Sequence, residues 1–274
     1  VEAEVAHFLR MRELNLFSAN TRLKVWLKAS RLNYQYIVVQ IGILYGVSVG
    51  TGDPELITVK GLRILQQSKV VAFPAGIGDR LGVAQKIIDC WLQPHQILLP
   101  LDFPYLQDPQ QLQTAWQKAA ALVLQYLVQG EDVAFACLGD VSFYSTFTYL
   151  AQTLENIHPE VEIETIAGVS SPMAIASVLK FPLTVNQQKL AILPALYTVR
   201  ELEVALDWAE VIVLLKVSSV YQQVWQILKE RNLLQSSWIV EKATFLEQKI
   251  YQNLGNYPQL NLSYFSIMLI KNNL

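Results

Sequence analysis

Short apolar runs recur along this chain, and most are separated by segments with helical periodicity. Residues 36–49, "YIVVQIGILYGVSV", form a β-rich run, and 55–67 follow as a helix with Leu56, Val59, Leu62 and Leu65 at three-residue spacing. "KVVAFP" (69–74) is a buried strand, 109–129 a long helix with Leu112, Trp116, Ala119, Val123 and Leu127 on one face, and "DVAFAC" (132–137) another strand. A helix over 143–154 and a strand at "VEIETI" (161–166) complete the first half. The second half repeats the theme with "KLAILPA", a helix over 199–208, "EVIVLLKV", a helix over 220–231, "SWIVEKA" and "LSYFSIMLIK". Strands joined by helices run parallel, because only a crossover returns the chain to the same end of a sheet. The last two strands lack a long helix between them and should pair antiparallel. The expected fold is therefore α/β, with an N-terminal parallel-sheet domain (41–168), a C-terminal mixed-sheet domain (169–274), a cleft between them and an appendage at 1–40 whose helical spacing at Val5, Phe8 and Leu9 soon lapses.

Composition narrows the class. With 274 residues, 52% hydrophobic and 16% charged, the chain can fill two cores and is too apolar for a disordered tail; an oligomer interface, here a homodimer, is expected. A formal charge of -2 supplies no basic field, which argues against nucleic acid. Cys90 and Cys137 are far apart with no CxxC, and His7, His95 and His158 stand alone, so no metal site or disulfide framework is expected and the compartment reads as a reducing cytoplasm. Residues 32–52 carry no charge and follow Arg22, Lys24, Lys28 and Arg31, as a membrane span might. Asn33, Gln35 and Gln40 interrupt that run, and its last third is a glycine turn, which leaves it short of the roughly 20 apolar residues a span needs. No membrane anchor or signal peptide is expected.

Glycine-rich turns mark where chemistry can sit. "GVSVGTGDPELITVKGLRIL" (46–65) places glycines at 46, 50 and 52, with no GxGxxG spacing and no Gly-Lys-Ser/Thr, so neither phosphate-binding loop fits. Asp53 before Pro54 is a helix cap with proline at the first helical position. "CLGDVSFYST" (137–146) and "AGVSSPMA" (167–174) repeat the device, and three small-residue turns on one sheet edge let a flat polar or cationic ligand approach the backbone.

Taken in order, "GVSVGTGDPELITVKGLRIL", "LGDVSFYSTF", "IAGVSSPMAIA", "VIVLLKV", "IVEKAT" and "YFSIMLIK" resemble the tetrapyrrole methylases, S-adenosylmethionine-dependent enzymes of corrin and sirohaem synthesis, over about 42–271. Within the family, "YST" and "GVSS" look most like the branch that methylates the C(20) meso carbon of precorrin-2, and less like the uroporphyrinogen-III branch. Ser48 stands where the family has glycine, Thr51 at its loop proline, Val141 after Asp140 where Asp-Pro is usual, and Leu215 where methionine is common. The resemblance implies S-adenosylmethionine as cofactor. It implies cofactor contacts from Thr51, from Leu138, Gly139 and Asp140 with Phe143 after them, from Ser170 and Ser171, and from Leu215 and Ala243.

The implied reaction is methyl transfer from a sulfonium to an enamine-like carbon, with loss of a proton. Proximity and alignment can carry most of it. Asp140, Tyr144 and Glu241 are base candidates by location. The substrate bears many carboxylates, for which Arg80 in "AGIGDRLG", Lys216 and Lys242 are the expected partners, although residues 42–274 carry a net charge of -5. Two other readings stay open: a non-catalytic relative that binds tetrapyrrole or cofactor, motivated by Ser48, Thr51 and Leu215, and a plain scaffold with capped turns.

Overall fold

The computed structural model describes residues 23–30, 33–76, 81–104, 108–194 and 199–272, with backbone alone for 23–39. Two strands, β1 (Leu23–Ser30) and β2 (Asn33–Gln40), form an antiparallel pair that joins neither larger sheet. The β-rich run at 36–49 is thus two strands, because residues 41–43 break the pairing before β3 (Leu44–Ser48) begins.

The first large sheet is all parallel. Its strands, β3, β4 (Val70–Pro74), β5 (Ile97–Leu101), β6 (Val133–Cys137) and β7 (Ile163–Ile166), lie in the order β5-β4-β6-β3-β7. Alternate residues of β6 serve opposite faces, as the strand period requires. Val133, Phe135 and Cys137 pack with α3 (Pro109–Leu127) and α4 (Phe147–Ile157). Ala134 and Ala136 pack with α1 (Val59–Gln67) and α2 (Val83–Ile88). Helix α3 keeps the expected face, burying Ala119, Ala120, Val123 and Leu127, and Asp108 caps it by accepting the Gln110 amide at 2.9 Å.

The second sheet is mixed, in the order β11-β10-β12-β9-β8. Strands β8 (Leu190–Pro194) and β9 (Val211–Leu215) are parallel, and β12 (Ser266–Lys271) runs antiparallel between β9 and β10 (Ser237–Glu241). Edge strand β11 (Lys249–Gln252) is antiparallel to β10. Helices α6 (Arg200–Leu206) and α7 (Tyr221–Glu230) cover one face, and α5 (Ser171–Leu179) covers the other. The α/β reading, with one parallel and one mixed sheet and antiparallel final strands, holds.

Two helix boundaries differ from expectation. The segment 55–67 is a 3-10 turn at Pro54–Leu56 followed by α1, because Thr58 starts a second helix by accepting the Gly61 amide at 3.1 Å. Its core face is Gly61, Ile64 and Leu65, whereas Val59 is 87% exposed. The helix expected from 143 starts at Phe147, since Tyr144 has φ 50° and the Ser145 hydroxyl takes the Phe147 amide. Edge strand β11 is mostly exposed and forms no apolar run, whereas edge strand β5, Ile-Leu-Leu-Pro-Leu, is an apolar run interrupted by Pro100. Among the described residues no helix is long and apolar enough to cross a membrane.

Phe135 is fully buried at the centre of the first core, edge-on to Phe103 at 6.0 Å and tilted on Phe147 at 5.7 Å. Phe135→Ala should lower unfolding free energy by about 3–5 kcal/mol in a denaturant titration.

Candidate functional site

Strands β3 and β6 are neighbours, yet the helices that follow them, α1 and α4, lie on opposite faces of the sheet. Such a switch in direction opens a crevice beyond the strands' carboxyl ends, where ligands of α/β sheets bind. Gly50 and Gly139 meet there, the Gly139 amide donating to the Gly50 carbonyl at 2.7 Å and the Gly50 amide to the Gly139 carbonyl at 3.3 Å. Their φ angles of 78° and 75° lie where a Cβ is strained, which is why both turns end in glycine.

Ser48 ties the third turn to these two. Its buried hydroxyl donates to the Ile166 carbonyl at 2.6 Å and accepts the Val141 amide at 2.8 Å. Gly168 sits so close that an added Cβ would stand 2.3 Å from the Ser48 Cβ. Asp140 completes the joint, one carboxylate oxygen accepting the Gly168 amide at 2.7 Å and the other the Ser142 amide at 2.9 Å along with the Ser142 hydroxyl. Partial burial pushes this carboxyl up, but the Ser142 hydroxyl and the Gly168 and Ser142 amides outweigh it and hold it below the usual carboxylate range. With both oxygens engaged, Asp140 clamps one turn to another.

The second half supplies a facing wall. Leu215 and Ala243 are buried at the carboxyl ends of β9 and β10, in one cluster with Ile175 and Ala176 of α5, and Phe143 from the β6 turn packs against it. A loop after β10 reaches the first turn directly. The Thr244 hydroxyl lies 3.0 Å from that of Thr51 and accepts the Asp53 amide at 3.2 Å, while the Phe245 ring covers Gly52. Leu138 and Phe245 pack on the same core cluster. Ser170 caps the N-terminus of α5 by position, and Ser171 is its first residue.

Backbone strain concentrates at this edge. Tyr144, Lys216, Lys242 and Thr244 have φ of 50°, 57°, 47° and 70°, a region non-glycine residues enter at about 1–3 kcal/mol each. A β-branched threonine there is the costliest kind. Its amide donates to the Gln248 side chain at 2.7 Å, which holds the conformation.

The fold thus brings Thr51, Leu138, Gly139, Asp140, Phe143, Ser170, Ser171, Leu215 and Ala243 to one crevice and its wall. Arg80 lies outside the described residues. Glu241 is buried, one oxygen accepting the Tyr251 phenol at 2.8 Å and the other the Ser263 amide at 2.7 Å. Burial pushes its carboxyl up, and these hydrogen bonds with nearby Lys249 bring it below the usual range; burial and the Glu241 charge push the Tyr251 phenol to about 12. Glu241 and Lys242 line an open hollow of about 360 Å³ with Glu247, Lys249 and Asn261, to which no residue of the three turns contributes. The contacts of Thr244 and Phe245 with the first turn left no pattern in the sequence. Ser48 did leave one: a polar residue inside an apolar strand must find buried partners.

The family profile described as Tetrapyrrole (Corrin/Porphyrin) Methylases matches residues 43–256. A probable cobalt-precorrin-2 C(20)-methyltransferase of Methanocaldococcus jannaschii is 30% identical over 232 residues, 83% of this chain and 95% of that protein. A precorrin-2 C(20)-methyltransferase of a Sinorhizobium species is 29% identical over 245 residues, 85% of this chain and 96% of that protein. Among solved structures, a cobalt precorrin-4 methyltransferase of cobalamin biosynthesis superposes with a TM-score of 0.66 at 24% identity, covering 83% of this chain and 94% of that one; this likeness shows the fold.

Two substitutions test the joint. Ser48→Ala strands the Ile166 carbonyl and the Val141 amide, and should cost about 1–3 kcal/mol for each buried group left unpaired. Asp140 has a folded-state pKa below its unfolded value of about 3.9, so its stabilisation is complete above that value and fades as pH falls through the folded one. Unfolding free energies measured from neutral pH into acid should therefore fall more steeply for the wild type than for Asp140→Asn.

Proposed function

The chain belongs to the tetrapyrrole methylase family, and from that premise we propose that it transfers a methyl group from S-adenosylmethionine to the C(20) meso carbon of precorrin-2, giving precorrin-3A in cobalamin biosynthesis. The observation that carries this reading is the meeting of three small-residue turns at the switch point of the parallel sheet, faced by an apolar wall from the second half. The residues present fit an adenosyl sulfonium. Beside Gly139 nothing lies within 4 Å of where a Cβ would stand, so the crevice is open at the backbone. None of the three turns carries Lys or Arg, so no basic side chain there repels a cationic ligand. The cofactor would rest against Thr51, Leu138, Gly139, Asp140, Ser170 and Ser171, with Phe143, Leu215 and Ala243 as apolar neighbours.

S-adenosylmethionine supplies an electrophilic methyl group. The protein's part is to hold the two reactants aligned and exclude water, and positioning of this kind is worth about 7–11 kcal/mol of barrier. Asp140 and Glu241 have both carboxylate oxygens occupied by protein donors, so they act as fixed struts. Of the three candidate bases Tyr144 is the exposed one, but a neutral phenol cannot take up a proton, so we assign solvent water at that edge to receive the proton released from the methylated carbon. Lys216 and Lys242 stand at the same edge for the substrate's carboxylates. The named relatives act on precorrin-2 with cobalt in one case and without stated metal in the other, so both forms belong in the assay.

A reading as a cofactor- or tetrapyrrole-binding carrier is motivated by Ser48, Thr51 and Leu215, which depart from the family pattern. The structure gives Ser48 a bonding role and buries Leu215, so both support the crevice. We also propose a homodimer, on the apolar composition, and a reducing cytoplasmic setting, on the free thiols of Cys90 and Cys137.

Calorimetry should give saturable binding of S-adenosylmethionine. Gly139→Val should weaken it at least about tenfold, because the side chain enters the open side of the crevice, while Leu98→Ser on the far edge strand leaves affinity unchanged. Mass spectrometry after incubation with metal-free and cobalt-loaded precorrin-2 should show one added methyl on at least one of them. Cofactor binding with no added methyl on either favours the carrier.

A further inference from the structure

The carboxyl ends of β9 and β10 flank the residues that lead into β12. Strand β12 lies antiparallel between them, Ile267 opposite Leu215 and Ser266 opposite Glu241, so Tyr264 and Phe265 sit between Lys216 and Lys242. The Lys242 amide donates to the Phe265 carbonyl at 2.8 Å, and the Lys216 ammonium stands 5.0 Å from the centre of the Tyr264 ring. Phe265 braces that ring edge-on at 5.4 Å. Tyr264 is 41% exposed, which leaves part of an aromatic ring open at the site's edge.

Three features of this arrangement point outward from the protein. Both lysines hold a left-handed backbone that glycine or asparagine would adopt with less strain. Among the described residues neither ammonium forms an ion pair, although residues 42–274 have a net charge of -5 and carboxylates are plentiful. The Tyr264 ring fixes the Lys216 head group through a cation–π contact, which lowers the ordering cost of binding an anion.

We propose that Lys216 and Tyr264 form a composite seat for one carboxylate-bearing pyrrole edge of the substrate, the ammonium pairing with a carboxylate arm and the exposed part of the ring packing against the pyrrole. Tyr264 is the new element, as both a contact and the residue that positions Lys216. The seat rests on the methyltransferase reading for the identity of its ligand, and its test is separable from it. Tetrapyrrole binding is followed by the change in precorrin-2 absorption without methyl donor, and methyl transfer is measured apart.

Tyr264→Ala and Lys216→Gln should each weaken tetrapyrrole binding and raise KM about tenfold, with kcat and S-adenosylmethionine affinity within about twofold of wild type. Tyr264→Phe keeps the ring and its cation–π contact, and should bind tetrapyrrole more tightly than Tyr264→Ala. Added salt should weaken wild-type binding more than that of Lys216→Gln. Normal tetrapyrrole affinity in Tyr264→Ala with cofactor binding intact overturns the seat. If Tyr264→Ala fails to fold, Lys216→Gln decides: unchanged affinity and unchanged salt response overturn it. A wild type that binds precorrin-2 through these residues yet adds no methyl overturns the methyltransferase reading and leaves the seat standing.

Discussion

One buried hydroxyl joins the parts on which this molecule's chemistry depends. Ser48 ends β3, donates to β7 and accepts from the turn after β6. It ties three βα junctions together, its two partners lying 93 and 118 positions away along the chain. The Gly50–Gly139 pairing and the Asp140 carboxylate build outward from that point, so the crevice has a rigid floor made of backbone. Rigidity matters because positional catalysis loses most of its benefit when reacting groups are misplaced by about 1 Å.

The second half contributes in a different manner. Its strands end in residues whose backbone is strained, at Lys216, Lys242 and Thr244, and the strain is held by the Thr51–Thr244 contact, by Gln248 and by the packing of Phe245 over Gly52. A relaxed version of these turns would place the side chains elsewhere. Such conformations persist where the surroundings over-determine them, and they cluster at functional edges. The two halves therefore meet through a few short contacts at the crevice, above two sheets that each bury their own core.

Charge is used sparingly. The acids that looked reactive by position, Asp140 and Glu241, are both saturated with hydrogen bonds and stay ionised as struts. Lys216, by contrast, forms no ion pair among the described residues and stands beside the exposed Tyr264 ring at the end of β9. The proposed site for a polycarboxylate relies on that placement, since the overall charge of a net acidic chain repels such a ligand.

The alternation of strands and helices, the parallel first sheet, the antiparallel final strands and the three glycine turns were readable from the chain, because each rests on local periodicity or on a residue type that few conformations accept, whereas strand β1 and helix α2 were not. Edge strand β11 was not readable, since its mostly exposed residues form no apolar run, and β5 was obscured by Pro100, a residue that argues against a strand. Nor were the start of α4 or the break before α1, which Tyr144 and Thr58 decide through contacts made only in the folded turn. The sequence by itself determined which residue types stand at each turn. Tertiary structure alone decided that Asp140 clamps, that Thr244 reaches Thr51 and that Tyr264 carries Lys216, because side chains distant along the chain acquire partners only when the two sheets bring their carboxyl ends together.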